Sequence, residues 1–211
     1  MKPLAFINAS PKPKKTVSGA LLTDLARFLR PQPAPPVFRL PNAEPNPKTL
    51  KALAEYRAVV LAFPVYLDAP PAHLLAALNP LDSALLPGTP VYTLVNCGFY
   101  EGQQTAGCHR VIQNWCQKNG LCYAGGVGIG GGGSVWLLKR VPRFCWPRRG
   151  IDTALNALAT AAKTGGPLPV VYTTVDYPRF FYLTGAELSW NKKGRRNGLS
   201  PADLKKPRTP C

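Results

Sequence analysis

The 211-residue chain predicts an α/β fold, a doubly wound three-layer sandwich built on a five-stranded parallel sheet of order 2-1-3-4-5. Two observations carry the prediction. Short apolar runs recur five times without the polar alternation of a half-exposed strand, as strands covered on both faces do. Between them lie segments whose apolar residues return at helical spacing. With 45% hydrophobic residues the chain buries one substantial core, so a single main domain is expected.

The elements follow in order. Leu4 to Asn8 reads as the first buried strand, and "GALLTDLARFLR" after it places Leu21, Leu22, Leu25, Phe28 and Leu29 at helical spacing. "RPQPAPP" ends that helix, Val37 to Leu40 makes a second strand, and Pro47 opens a helix through Leu53 and Ala54. "RAVVLAF" (57 to 63) is the clearest buried strand. Pro70 and Pro71 start the next helix, on which Leu74, Leu75 and Leu78 are expected to share a face. "PVYTLVN" (90 to 96) is the fourth strand, and a helix with an apolar stripe of Cys108, Val111, Ile112 and Trp115 follows the polar loop "CGFYEGQQT". "LCYAGGVGIGGGG" reads as a fifth strand running into glycines, and Ile151, Leu155, Leu158, Ala159 and Ala162 mark a final long helix. The expected division is a domain over 1–165 and a basic C-terminal extension over 166–211, packed on the domain or in a dimer contact.

The formal net charge is +16, unevenly spread. Residues 1 to 136 carry 12 Lys and Arg against 6 Asp and Glu, and residues 137 to 211 carry 14 against 4. Such a field favours anionic partners: nucleotides, nucleic acid or acidic lipid headgroups. The six cysteines (97, 108, 116, 122, 145, 211) form no Cys-x-x-Cys pair and His73 and His109 lie far apart, a pattern that fits neither a disulfide framework nor a zinc or iron–sulfur site. Reduced thiols and a cytoplasmic protein are expected. The apolar run Ala58 to Leu67 is ten residues long and contains Pro64, against the roughly 20 a spanning helix needs. "MKPLAFINASP" is too short an apolar segment for a secretory signal.

In open sheets of this kind ligands bind beyond the C-terminal strand ends, where the winding reverses. That selects loops 9 to 18, 64 to 69 and 96 to 103. In the first, Ser10, Thr16 and Ser18 offer hydroxyl donors and Lys12, Lys14 and Lys15 positive charge, ahead of a helix N-terminus; a phosphate is the natural guest. The plain alternative is a basic turn with Ser18 as the helix cap. The P-loop pattern is absent. In the second, Pro64, Val65, Tyr66 and Leu67 set a proline-fixed backbone and an aromatic where a flat ring could lie; the alternative is a turn with a partly buried tyrosine. In the third, Gly98 and Gly102 allow close backbone approach, and Phe99 and Tyr100 are flat apolar partners. Together the three fit a mononucleotide across the switch point, with FMN as the best candidate.

The stretches "NASPKPKKTVSGALL", "FPVYLDAPPAHLL" and "VNCGFYEGQQTAGCHRVIQNWCQKNGL" resemble the flavodoxin-like NAD(P)H-dependent oxidoreductases related to NADPH-dependent FMN reductases. The resemblance runs from about residue 3 to 133, and the tail from Pro178 to Leu204 also looks like the C-termini of some members. It implies a flavodoxin-like fold in which Ser10, Lys12, Thr16, Val17 and Ser18 hold the FMN phosphate. Pro64, Val65, Tyr66 and Leu67, with Asn96, Cys97, Gly98, Phe99 and Tyr100, would flank the isoalloxazine, and Glu101 would close its edge or the ribityl. Ala9 stands where the family has a glycine.

The implied activity is hydride transfer from NAD(P)H through bound FMN to a quinone, flavin or other small acceptor, by a homodimer. The cofactor carries that chemistry, so no dedicated catalytic residue is expected. Backbone N–H groups around Asn96 to Phe99 would stabilise charge on the flavin. The rival readings are an electron carrier without nicotinamide activity and a basic protein for nucleic acid or an anionic membrane surface.

Five further features have plain readings. Gly126, Gly128 and Gly131 show Gly-x-Gly-x-x-Gly spacing, but Pro142 limits any following helix and no dinucleotide fingerprint is expected. His73 and His109 read as surface or capping groups. Cys97 is the cysteine placed for redox behaviour, and otherwise a small packing residue. The segment "WLLKRVPRFCWPRRG" reads as an irregular insertion with Trp136, Phe144 and Trp146 packed inward or at a subunit contact, and the stretch from Asn191 as a solvated extension or dimer arm.

Overall fold

The computed structural model describes residues 4–30 and 33–206. Its centre is one all-parallel sheet in the order β2-β1-β3-β4-β5-β6, formed by β1 (Ala5–Asn8), β2 (Val37–Arg39), β3 (Val59–Pro64), β4 (Pro90–Asn96), β5 (Cys122–Ile129) and β6 (Val171–Thr173). The first five strands stand in the predicted order. The sixth is an addition: Val171 to Thr173 pair with Val127 to Ile129, inside the stretch read as an extension. Three residues between prolines are too short to leave a periodic signal.

Alternation along the strands sends successive side chains to two helical layers. Ala5, Ile7, Val59, Leu61, Phe63, Val91 and Val95 form one core with Leu53, Leu74, Leu78, Leu81, Ile112 and Trp115 from α2 (Pro47–Leu53), α3 (Ala72–Asp82) and α4 (Ala106–Lys118). Leu21, Leu22 and Leu25 of α1 (Val17–Phe28) are buried on the other side, as are Ile151, Leu155 and Leu158 of α6 (Arg149–Thr164). The four-residue α5 (Val135–Leu138) precedes α6.

The helical faces differ in two details from the sequence reading. On α3 the buried stripe is Leu74, Ala77, Leu78 and Leu81, and Leu75, one residue out of phase, is exposed. On α4 it is Cys108, His109, Ile112, Trp115 and Cys116, and Val111 is exposed. His109 is therefore a core residue and not a surface group. Its Nδ1 is 2.7 Å from Thr93 Oγ1 and 3.2 Å from Tyr123 OH, and burial pulls its pKa down to about 4.

Between α5 and α6 the chain is held by one buried cation. Arg148 Nε and Nη2 donate to both carboxylate oxygens of Asp152 at 2.8 and 2.7 Å, and Nη1 donates to Leu138 O at 3.0 Å and Val141 O at 3.3 Å. Asp24 of α1 lies 3.5 Å away. The insertion is thus irregular, as expected, yet fixed; its Phe144 and Trp146 are exposed rather than turned inward.

Nor is α6 the last helix. Residues up to Asp176 form one compact unit, and from Tyr177 a second unit contains α7 (Arg179–Arg196), an 18-residue helix that runs into the stretch from Asn191. Gly194 is its one buried residue, against Leu204. The stretch 207–211, and Cys211 with it, lies outside the described residues. No helix among the described residues is long and apolar enough to cross a membrane.

Candidate functional site

The loop from residue 9 to 18 is organised by Thr16, which is the N-cap of α1 in place of Ser18. Its Oγ1 accepts from Gly19 N at 2.9 Å and from Asn8 Nδ2 at 3.2 Å, so its own hydroxyl proton is left to donate outward. A Cβ at Gly19 would lie 2.7 Å from Thr16 Oγ1 and 3.0 Å from Asn8 Nδ2. Val17 and Ser18 present first-turn N–H groups that no helical carbonyl reaches. Lys15, one residue before the cap, takes a left-handed φ of 49°, a conformation that non-glycine residues hold where the surroundings impose it. Ser10 is buried, with its N–H on Asn8 Oδ1 at 3.1 Å, and Lys12 is exposed. The backbone of the loop is clamped from β2: Arg39 donates to the carbonyls of Lys12 and Pro13.

The predicted loops meet. Ser18 Oγ donates to Asn96 Oδ1 at 2.8 Å, a buried bond that joins the start of α1 to the end of β4 across 78 residues of sequence. Pro64 stands opposite Asn96 in the β3–β4 register, and Val65 N donates to Asn96 O at 2.8 Å. Beyond Val65 the chain makes a two-residue turn in which Tyr66 and Ala69 exchange both backbone hydrogen bonds. Leu67 and Asp68 both take positive φ there, the signature of a type I′ turn. Tyr66 is 42% exposed and Leu67 100%, so neither is a core side chain.

The third loop rests on the glycine run. Gly131 N donates to Phe99 O, and Gly132 N to Cys97 O at 2.9 Å. A Cβ on Gly130 would strike the carbonyl of Tyr100, and one on Gly132 the carbonyl of Cys97. Gly130 and Gly132 therefore serve close approach to the 97–101 loop, whereas Gly126 and Gly128 lie against Thr93 of β4 and against Thr105 and Tyr172. Gly102 similarly lies against the backbone of β5 and β6. Phe99 is half exposed, while Tyr100 OH is tied back to Val175 O at 3.4 Å.

Two expectations change at this loop. The Cys97 N–H donates to Ile129 O, which removes it from the donors available to a ring. The Cys97 thiol is buried beneath the loop, with the carbonyls of Phe99 and Glu101 at 3.7 and 3.6 Å. Burial raises its pKa, so it is a packing group and not a poised thiolate.

Next to the cap lies a basic cleft of about 330 Å³ that the sequence did not announce. Lys14, Lys15 and Thr16 border it with Arg39 of β2 and with Trp136 and Lys139 from the insertion. The Lys139 ammonium sits over the Trp136 ring at 4.3 Å. Arg39 and the insertion are distant in sequence from loop 9 to 18, and only the position of β2 next to β1 and the Arg148 anchor bring them there. Apart from the cleft, His73 of α3 is half-buried against the ends of β1 and β2: its Nε2 is 3.2 Å from Ala9 O and 3.1 Å from Leu40 O. Among the described residues no cluster of His, Cys, Asp and Glu could hold a metal ion.

No family model matches the chain, and no curated protein matches it in sequence. Solved structures do match in fold. An NADH:FMN oxidoreductase in its apo form superposes with a TM-score of 0.58 at 14% identity, over 78% of this chain and 90% of that one. The Trp repressor binding protein from Bacillus subtilis gives 0.54 at 12%, over 76% and 95%. An NADPH-quinone reductase from P. pentosaceus gives 0.53 at 15%, over 79% and 98%. At such identities the likeness speaks for architecture, and the architecture of this chain is the flavodoxin-like fold.

Proposed function

We propose that the chain is an FMN-dependent NAD(P)H oxidoreductase. The observation that carries the reading is the Ser18–Asn96 hydrogen bond, which joins a phosphate-type helix start to an exposed aromatic edge at the switch point of the sheet. The donor set fits a flavin mononucleotide: the Thr16 hydroxyl, the Val17 and Ser18 N–H groups and Lys12 for the phosphate, with Ser10 beside them. Pro64, Val65, Tyr66 and Leu67, opposite Asn96, Cys97, Gly98, Phe99 and Tyr100, would enclose the ring, and Glu101 its edge.

FMN, when bound, supplies the hydride chemistry. The protein's part is position. Tyr66, Leu67 and Phe99 supply exposed apolar surface that a ring would cover, excluding water from it. Ser18 gives its hydroxyl proton to Asn96, so its contribution to a phosphate is its backbone N–H. The basic surface favours NADPH as the incoming donor. A quinone, a flavin or another small molecule is the acceptor, and the working form is a cytoplasmic homodimer.

The test is an absorption spectrum of the purified protein with FMN, then with NADPH, without oxygen. A perturbed flavin spectrum that bleaches supports the reading. Bound FMN that stays oxidised points to an electron carrier, and no perturbation removes both. Sedimentation of the same sample reads the oligomer.

A further inference from the structure

The basic cleft beside Thr16 carries more charge than a single phosphate calls for. Four cationic side chains line it, Lys14, Lys15, Arg39 and Lys139, and no carboxylate does. They come from three separate parts of the chain, and Arg39 is fixed by its two bonds to loop carbonyls. The half-buried indole of Trp136 adds a flat apolar wall. Thr16, Gly19, Ala20 and Thr23 show that the cleft runs along one flank of α1, whereas Ser18 turns to the other flank and Asn96. A mononucleotide reaching from the cap toward Tyr66 and Phe99 therefore leaves this side of the helix uncovered.

The geometry points to a second nucleotide subsite here, one that takes an adenosine diphosphate moiety: phosphates against the four cations and the purine on Trp136. The inference deepens the proposed function and rests on it only for what the subsite serves. Lys139 lies over the indole in the structure. An arriving phosphate draws the ammonium off the ring, and the vacated face takes the purine, exchanging a cation–π contact for stacking plus a charge-assisted bond. A volume of about 330 Å³ is near the lower end for small-molecule pockets, about 300–1,000 Å³, and suits part of a dinucleotide, not the whole. That moiety has two sources, a flavin dinucleotide or the nicotinamide dinucleotide that reduces the flavin.

The experiment titrates the full chain with ADP, FMN and FAD, by calorimetry and by tryptophan fluorescence, and repeats it with Lys139→Gln and Trp136→Leu. ADP is expected to bind and to quench fluorescence in the wild type. Each variant weakens ADP about tenfold, the equivalent of one lost charge-assisted contact for Lys139→Gln and of one lost stacking face for Trp136→Leu, and leaves FMN within about twofold. FAD at least about tenfold tighter than FMN assigns the subsite to the flavin. FAD equal to FMN, with ADP competing against NADPH, assigns it to the reductant. ADP that fails to bind, or binds both variants as it binds the wild type, overturns the inference. Because Lys139 is exposed, loss of its side chain leaves the fold intact, and FMN affinity in each variant checks this. ADP binding without any FMN binding would keep the subsite and remove the proposed function.

Discussion

Replacing His109 with Gln removes a pH dependence that the fold builds into its core. The imidazole is 2% exposed, Nδ1 is shared between Thr93 and Tyr123, and Nε2 has no hydrogen-bond partner among the described residues. Desolvation lowers its pKa from 6.5 to about 4. Below pH 6.5 the unfolded chain binds a proton that the folded chain refuses, so stability falls as pH falls, until the folded group titrates near pH 4. The full window of about 2.5 units corresponds to about 3 kcal/mol, and roughly 2 kcal/mol of that is lost between pH 7.5 and pH 5. Urea unfolding at those two pH values, on wild type and His109→Gln, reads the effect as a difference of differences that cancels the carboxylates. The variant is expected to be less stable at pH 7.5 and to lose about 2 kcal/mol less on acidification. Equal losses in the two proteins would refute the assignment of a neutral, desolvated imidazole.

Asp152→Ala leaves the Arg148 guanidinium, 3% exposed, with only the Asp24 carboxylate at 3.5 Å, and is expected to cost about 3 kcal/mol in urea unfolding, the lower end for a broken buried pair. Thr16→Ala removes the α1 cap, for about 1 kcal/mol of stability, and with it a phosphate donor, so FMN affinity falls in fluorescence titration; unchanged affinity would count against the proposed phosphate site. Ser18→Ala breaks the link to Asn96 and weakens FMN through the position of the ring loop, although no hydroxyl contact to phosphate is lost. In thiol labelling of the native chain, exposed Cys122 and Cys145 react first; buried Cys97, Cys108 and Cys116 react only after unfolding, and early modification of Cys97 would restore its candidacy as a redox group.

The sequence made the first five strands legible because each is a run of apolar residues bracketed by turn signals, and Leu21, Leu22 and Leu25 mark α1 for the same reason. Placing the three loops at one edge needed only strand order, and the Ser18–Asn96 bond is the outcome. Other features left no local trace. The strand β6 is three residues long, and α7 buries almost nothing, so neither writes a pattern of burial into its residues. His109 occupies a stripe position where only the neighbouring Thr93 and Tyr123 make a polar group tolerable, and both are remote in sequence. Arg39, Trp136 and Lys139 reach the cap from elements whose placement depends on Arg148 and on β2 pairing with β1. The meaning of the glycine run appears only with the carbonyls of Cys97 and Tyr100 in place.

Both margins of the sheet are three residues long, β2 between Pro36 and Pro41 and β6 after Pro167 and Pro169. A ladder so brief, flanked by residues without an N–H, gives an incoming chain few backbone partners with which to extend the sheet. The open-ended growth by strand addition that endangers long exposed edges is therefore disfavoured at both margins, and side-chain surfaces are left as the natural place for a partner.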